Sequence, residues 1–167
     1  MSQSEEFFLT SIKQHAGILH KVARMYMDHP EDREDLHQEI IVQLWKSYQG
    51  FKGESRFSTW MYRVAINTAI TFLKKNQTYK KQVAYTDIPD AVDEGASSHK
   101  ETQLNAFYKA AQELNPVEKA VIFYFMEGMS HKEIGLQLGI SEGNARVRLN
   151  RTKEKLQTII KKQGYEF

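Results

Sequence analysis

A run of basic side chains near the end of the chain has the composition of a nucleic-acid-binding surface. From Arg146 to Lys162 the sequence contains seven lysines and arginines but only one acid, Glu154. Guanidinium and ammonium groups bind phosphate oxygens, and arginine also forms paired hydrogen bonds with guanine. The apolar residues in the same stretch recur at helical spacing, so we expect a helix with one basic face.

The residues before this helix predict a helix-turn-helix. Ser130 is suited to an N-cap, and Glu133 follows three residues later, as in a capping box. Gly139 lies where the turn needs a residue that tolerates a positive φ angle. Ser141 is suited to cap the second helix, which in such motifs enters the major groove of DNA.

On a helical wheel, this second helix has an apolar face and a polar face on opposite sides. The face that we expect to pack inward consists of Ala145, Leu149, Leu156 and Ile160. The opposite face consists of Asn144, Val147, Asn150, Arg151 and Glu154, flanked by Arg146 and Arg148. Arginine and asparagine on such a face are suited to base edges, and the outlying lysines to phosphates. The alternative is a solvated basic face on an ordinary C-terminal helix, but the cap, the glycine turn and the short first helix favour DNA binding.

The overall composition is that of a folded protein. The chain has 167 residues, of which 41% are hydrophobic and 26% charged. It has no cysteine, which excludes disulfides, thiol catalysis and cysteine-ligated zinc. No apolar run is long enough for a membrane span, and the acidic start MSQSEEFF does not resemble a signal peptide. We therefore expect a cytoplasmic protein without membrane insertion.

The first part of the chain predicts three helices in an antiparallel bundle. We expect them over residues 4–28, over residues 31–48, and from a cap at Ser58 to Lys75. In the second helix, Leu36, Ile40 and Leu44 form an apolar stripe. No alternation typical of a β-strand extends beyond three or four residues.

The helical pattern is lost between residues 77 and 101, where the sequence predicts a flexible linker. Residues 83–101 contain five acids and one lysine. Helical spacing returns at Thr102, and Asn115-Pro116 begins a helix that is apolar on nearly every side. We therefore predict an all-α protein with an N-terminal helical bundle (1–76), a linker (77–101) and a C-terminal four-helix domain (102–167) that contains the helix-turn-helix.

Two parts of the chain carry family motifs. The pieces DLHQE (35–39), LW (44–45), FKGESRFSTWMYRVAIN (51–67) and LKK (73–75) resemble region 2 of the sigma-70 family, in its extracytoplasmic-function group. The segment LNPVEKAVIFYFMEGMSHKEIGLQLGISEGNARVRLNRTKEKL (114–156) resembles region 4 of the same proteins. This resemblance implies a promoter-specificity subunit that binds core RNA polymerase and promoter DNA, and that an anti-sigma factor commonly holds inactive.

The resemblance also assigns roles to residues of the first part. It implies a polymerase-binding surface of Asp35, Gln38 and Glu39. It implies a pocket for an extruded minus-ten base at Phe51 and the loop Lys52–Phe57, with Asn67 in contact with such a base. The residues expected to hold the single-stranded backbone are Arg56, Arg63, Lys74 and Lys75. Without the resemblance, the acids would be solvent-facing residues at a helix start, Phe51 a core plug and Asn67 a surface amide. Trp60 and Tyr62 are expected to be structural.

In the second part, the residues expected to bind the minus-thirty-five element are Ser141, Asn144, Arg146, Val147, Arg148, Asn150 and Arg151. The chain departs from the family pattern at two places. Ala145 stands where a larger aliphatic residue is usual, and Gly135 where alanine is common. We expect both departures to weaken packing slightly.

No cofactor, metal site or enzymatic activity is expected, because the sequence has no nucleotide-binding loop, metal-ligand spacing or nucleophile arrangement. The alternative function is a stand-alone helix-turn-helix regulator with an N-terminal helical domain for sensing or dimerisation. Such a regulator would bind duplex DNA without polymerase, whereas the sigma-like function requires the core enzyme.

Overall fold

The computed structural model describes residues 2–82 and 99–164 and shows only α-helices in those ranges, which confirms the all-α prediction. The helices are α1 (Gln3–Gln14), α2 (Ala16–Tyr26), α3 (Pro30–Tyr48), α4 (Phe57–Gln82), α5 (His99–Ala111), α6 (Pro116–Met126), α7 (His131–Leu138) and α8 (Glu142–Lys162). No helix within those ranges is long and apolar enough to cross a membrane.

The single helix predicted over residues 4–28 is wrong, because the chain turns at His15 between α1 and α2. His15 has φ −112° and ψ 21°, which interrupts the helical backbone. The turn lets α1 lie over α3, where the Phe8 ring is 5.1 Å from the rings of Trp45 and Tyr48. Apolar spacing did not reveal the turn because both helices present apolar residues to the same core.

Helices α3 and α4 pack along their predicted faces. Leu36, Ile40 and Leu44 of α3 are fully buried, and so are Met61 and Ala65 of α4. The predicted cap at Ser58 is wrong: α4 already includes Phe57, and the amide of Trp60 donates to the Arg56 carbonyl at 3.1 Å.

The loop between α3 and α4 is closed by aromatic side chains. The Phe51 ring lies 5.1 Å from Trp60 and 5.8 Å from Phe57, and Tyr48 lies 6.5 Å from Phe51. Gly53 has φ 71°, a conformation that glycine adopts without strain. Packing of these rings fixes the loop on the end of the helical bundle, where its polar residues remain exposed.

The segment between α4 and α5 is shorter at both ends than the linker predicted over residues 77–101. Helix α4 continues to Gln82 and α5 already begins at His99. The remainder of the predicted linker, residues 83–98, lies outside the described residues. The division of the chain into residues 1–76 and 102–167 stays a prediction.

Helix α6 forms the centre of the C-terminal half. Asn115 caps it in a capping box with Glu118, and Pro116 occupies the first turn. Residues 119–124 are all buried, as expected for a helix that is apolar on nearly every side. Helices α7 and α8 pack against it, and α5 packs against α8.

The helix-turn-helix has the predicted caps. Ser130 and Glu133 form a capping box at α7, Gly139 has φ 69°, and the Ser141 hydroxyl accepts a hydrogen bond from the Asn144 amide at 3.1 Å. The structure, however, corrects our expectation that glycine at position 135 weakens packing slightly. A Cβ at this position would lie 2.7 Å from the Ile140 carbonyl oxygen. The tight turn therefore needs glycine here.

The two halves of the chain pack against each other. Helix α2 contacts α5 and α6, and α4 contacts α6. The buried apolar residues of both halves form one continuous cluster. The linear order of motifs did not predict this arrangement.

Candidate nucleic-acid and polymerase-binding surfaces

Helix α8 presents the polar face that its sequence predicted. Its inward residues Ala145 and Leu149 are fully buried, and Leu156 and Ile160 are each 8% exposed. The exposed outer residues are Asn144, Arg146, Val147, Arg148, Asn150 and Arg151. Val147 is 46% exposed although it is apolar, so its methyl groups are available for contact with a thymine methyl.

The basic residues of α8 differ in the side chains that they contact. Arg146 lies 3.7 Å from Glu142 in an exposed pair, which contributes little and is easily exchanged for a phosphate. Lys153 lies 3.8 Å from the centre of the Phe125 ring, and Lys155 is 2.9 Å from Glu118. These two lysines contact α6 and its cap, so their predicted role in phosphate binding is less favoured than that of the arginines.

A cavity of about 540 Å³ lies between α3 and α4. Its lining residues are Glu39, Gln43, Ser47, Val64, Asn67, Thr68, Thr71, Phe72 and Lys75. The amide nitrogen of Gln43 donates to Glu39 at 2.9 Å. Val64 and Phe72 supply apolar wall, and Asn67 supplies an amide that donates and accepts. Such a site is suited to a planar group with a polar edge.

The loop residues predicted to form a base pocket lie elsewhere. The lining of the α3–α4 cavity includes Asn67 and Lys75 but not the loop Lys52–Phe57. Lys52 and Arg56 are exposed, and Phe51 is half-buried among aromatic rings. The contacts of Phe51 are those of a plug, and its role in base binding stays a prediction.

The predicted polymerase-binding residues lie on α3. Asp35 and Gln38 are exposed, and Glu39 is half-buried at the α3–α4 cavity. Their neighbours Leu36 and Ile40 are fully buried, as expected for core positions.

An apolar groove of about 500 Å³ between α1 and α3 was not assigned from the sequence. Leu9, Val42 and Trp45 line it and are 43–46% exposed. The only signal in the sequence was that Val42 and Trp45 lie beside the core stripe of α3. A lone helix cannot show whether another element covers such residues.

Arg63, one of the predicted minus-ten residues, is bound to the other half of the chain. Its guanidinium donates to the Leu136 carbonyl of α7 at 3.0 Å. The neighbouring Tyr62 hydroxyl donates to Glu127 at 2.7 Å. Burial raises the pKa of Tyr62, and the bond to the Glu127 carboxylate raises it further. These contacts agree with the expected structural role of Tyr62.

Comparison with known proteins agrees with both motif regions. Residues 12–79 match the family model described as Sigma-70 region 2, and residues 104–156 match that of Sigma-70, region 4. The ECF RNA polymerase sigma factor SigE of Mycolicibacterium smegmatis is 26% identical over 160 residues, which cover 93% of this chain and 62% of the relative. SigG of Mycobacterium tuberculosis is 28% identical over 77% of this chain and 42% of the relative. SigX of Bacillus subtilis is 30% identical over 71% of this chain and 65% of the relative. The chain thus spans between about two-fifths and two-thirds of the length of these relatives.

Solved structures show the same fold. The sigma factor RpoE in complex with the anti-sigma factor NepR, from Bartonella quintana, has a TM-score of 0.72 at 19% identity, covering 93% of this chain and 98% of that one. CnrH in complex with the cytosolic domain of CnrY has a TM-score of 0.66 at 19% identity, covering 94% and 89%. With two regions matched in the order that the motifs predicted, the chain belongs to the sigma-70 family, in its extracytoplasmic-function group.

Proposed function

We propose that this protein binds core RNA polymerase and directs it to specific promoters. The observation that carries this proposal is the presence of both sigma-70 regions in one chain, the second with an exposed α8 face of arginine and asparagine. The protein acts by binding and not by catalysis. Its place is the cytoplasm, where the polymerase acts.

Region 4 reads the minus-thirty-five element as duplex DNA. Helix α8 enters the major groove with its first turns, and the capped turn at Gly139 sets its angle to α7. Arg151 is suited to guanine and Asn150 to adenine, whereas Val147 is suited to a thymine methyl. Arg146 and Arg148 lie at the sides of the face, where the phosphates run.

Region 2 reads the minus-ten element as a single strand. A base is readable on its Watson–Crick edge only after it leaves the duplex, and the α3–α4 cavity offers it an amide edge at Asn67. Arg56, Arg63, Lys74 and Lys75 supply positive charge for the backbone. Phe51 supports the loop that carries Lys52 and Arg56.

Asp35, Gln38 and Glu39 form the surface that docks on the polymerase. The carboxylates and the amide accept hydrogen bonds, which suits a partner surface rich in arginine. We further propose that an anti-sigma factor holds the protein inactive, as the resemblance implies. The two structural relatives are themselves described in complexes, RpoE with an anti-sigma factor and CnrH with CnrY.

Transcription in vitro tests the proposed function. Core polymerase, a pool of genomic promoter fragments and the full chain would be combined, and the initiation sites mapped by sequencing the transcripts. We expect initiation at a defined set of sites that core polymerase alone does not use. If no specific initiation occurs while the chain binds duplex DNA as a dimer, the stand-alone regulator is the correct function.

A further inference from the structure

The α3–α4 cavity has a polar wall on each helix. The wall on α3 includes Glu39 and Gln43, which lie one helical turn apart. The wall on α4 includes Asn67, Thr68 and Thr71. In the proposed function this cavity receives an extruded base of the minus-ten element. The hydrogen bonds that the walls make among themselves limit which base fits.

The carboxylate of Glu39 fixes the orientation of the Gln43 amide. The amide nitrogen of Gln43 donates to Glu39 Oε1 at 2.9 Å. A carboxylate only accepts hydrogen bonds, so it holds the NH₂ group of Gln43 and not its oxygen. Both side chains are half-buried, and a hydrogen bond to a charged acceptor is stronger than one between neutral groups. The Gln43 oxygen is therefore turned away from Glu39 and can accept a hydrogen bond from a ligand in the cavity.

The two threonines of α4 also present acceptors. The Thr68 hydroxyl donates to the Val64 carbonyl at 2.7 Å, and the Thr71 hydroxyl donates to the Asn67 carbonyl at 3.1 Å. A hydroxyl group has one hydrogen, so each of these oxygens has only its lone pairs left for a ligand. Acceptors are thus present on both walls.

The Asn67 side chain, in contrast, can offer either a donor or an acceptor. It is exposed, and half a turn about its terminal bond exchanges the oxygen and the nitrogen of the amide. Asn67 can therefore pair with a donor and an acceptor on the edge of any of the four bases. Selection among the bases needs a neighbouring group with a fixed orientation, and Gln43 is such a group.

The four bases fall into two classes in what they would place against the Gln43 oxygen. Adenine and cytosine carry an exocyclic amino group, whereas guanine and thymine carry a carbonyl oxygen at the equivalent position. An amino group has two hydrogens, one for Asn67 and one for Gln43. A carbonyl oxygen would instead meet the Gln43 oxygen and the negative charge of Glu39, and groups of like charge repel each other.

We propose that the α3–α4 cavity selects an extruded base with an exocyclic amino group, adenine or cytosine, through the Gln43 oxygen, and that Glu39 is the positioning residue for this oxygen. The cavity of about 540 Å³ has room for a purine or a pyrimidine, so hydrogen bonding and not size determines the selection. Val64 and Phe72 supply apolar surface for the faces of either ring. The inference rests on the proposed function for the presence of a single-stranded base.

Transcription from pre-opened promoters tests this selection. A promoter used by the full chain with core polymerase would be rebuilt with mismatches that hold the minus-ten element open, so that melting does not limit initiation. Each position of its non-template strand would carry each of the four bases in turn. At one position we expect adenine and cytosine to be used about 10-fold better than guanine and thymine. A preference for purines over pyrimidines, or no preference at any position, would overturn the proposal.

Variants of the α3 wall assign the selection to its residues. Lysine only donates, so Glu39→Lys should hold the Gln43 oxygen, turn the NH₂ group to the ligand and reverse the preference toward guanine and thymine. Glu39→Gln allows both orientations, and Gln43→Leu removes the oxygen, so both should bring the ratio close to one. The control Glu34→Gln makes the same charge change at an exposed position of α3 and should keep the 10-fold preference.

The ratio between bases separates this role from polymerase docking. Weaker docking of a Glu39 variant lowers initiation from all templates equally and leaves the ratio unchanged. If the Glu39 and Gln43 variants keep the ratio of the Glu34→Gln control, the hydrogen bond between the two side chains is only a pair on the helix surface, and the inference is refuted.

A base analogue tests the amino group itself. At the selected position, adenine would be replaced by purine, which lacks only the amino group, or cytosine by pyrimidin-2-one. Initiation should fall about 10-fold with the unsubstituted chain and stay the same with Gln43→Leu. Equal use of base and analogue by the unsubstituted chain would refute the inference alone. A chain that never directs initiation with core polymerase refutes the proposed function, and the inference with it.

Discussion

The ammonium nitrogen of Lys119 lies 5.5 Å from the centre of the Tyr26 ring, so a cation of the C-terminal half rests on an aromatic face of the N-terminal half. The same nitrogen donates to the Gln112 side chain at 3.3 Å. Lys119 is only 3% exposed. Burial lowers its pKa to about 8, and the negative charge of Asp28 opposes this shift only in part.

Stability should therefore rise with pH above about 8. A lysine in the unfolded chain keeps its proton up to about pH 10.4. Between pH 8 and this value the unfolded chain therefore binds more protons than the folded chain, and the free energy of unfolding increases with pH. We expect a gain of about 1–2 kcal/mol between pH 7.5 and 9.5. Burial raises the pKa of Tyr26, Tyr62 and Tyr124, and these groups reverse the trend above about pH 10. The measurement is urea unfolding at a series of pH values. In Lys119→Met the free energy of unfolding should rise less with pH, and an unchanged rise would contradict the assignment of this pH dependence to Lys119.

Gly135→Ala should destabilise the helix-turn-helix. The added Cβ would lie 2.7 Å from the Ile140 carbonyl oxygen, which is backbone and cannot rotate away. We expect a loss of about 1–3 kcal/mol, measured by thermal unfolding. Gly143→Ala is the matched control, because a Cβ at Gly143 meets no atom within 4 Å. Equal melting temperatures of the two variants would show that the turn relaxes freely.

Asn67→Ala should weaken the reading of the minus-ten element. The Asn67 amide lines the α3–α4 cavity, and its loss removes the polar edge that distinguishes one extruded base from another. We expect about 5- to 100-fold less discrimination between promoters with different bases there. Gln49→Ala, which removes an exposed amide at the end of α3, should have no effect. The measurement is initiation from a promoter library randomised in the minus-ten element, and an unchanged sequence preference would argue against this cavity.

Asp35→Arg should weaken binding of core polymerase itself. The exposed carboxylate would become a cation facing a surface that we expect to be rich in arginine. We expect about 10-fold weaker binding in a fluorescence titration with core enzyme. Glu34→Arg makes the same charge reversal at the adjacent exposed position and should have less effect. Equal losses in the two variants would mean that net charge alone, and not the assigned surface, governs docking.

Arg151→Ala should impair use of the minus-thirty-five element and leave polymerase binding intact. Arg151 is exposed on the outer face of α8, and loss of a paired contact with guanine costs about 1–3 kcal/mol. Lys161→Ala, at the far end of the same helix, also removes one exposed positive charge. Only Arg151→Ala should change the sequence preference on a library randomised in that element. A uniform loss across all sequences would instead assign Arg151 to phosphate binding.

Local features of the fold could be predicted because they depend on residues a few positions apart. The capping box at Ser130, the helix start at Asn115-Pro116, the left-handed Gly139 and the buried face of α8 all follow from such short patterns. The turn at His15 could not be predicted, because the apolar residues on both of its sides face one core. Gly135 was misjudged because the clash that it avoids involves backbone five residues away.

The sequence by itself determined most of the helices and the family, because helical periodicity and motif spacing are local properties. It also predicted which residues form the two DNA-binding surfaces. Only the tertiary structure decided that Arg63 donates to the Leu136 carbonyl of α7 and that Glu127 joins Lys21 to Tyr62. These contacts join residues that are 65 to 106 positions apart along the chain. No periodicity marks such partners, since they meet only when two complete halves have folded and packed together.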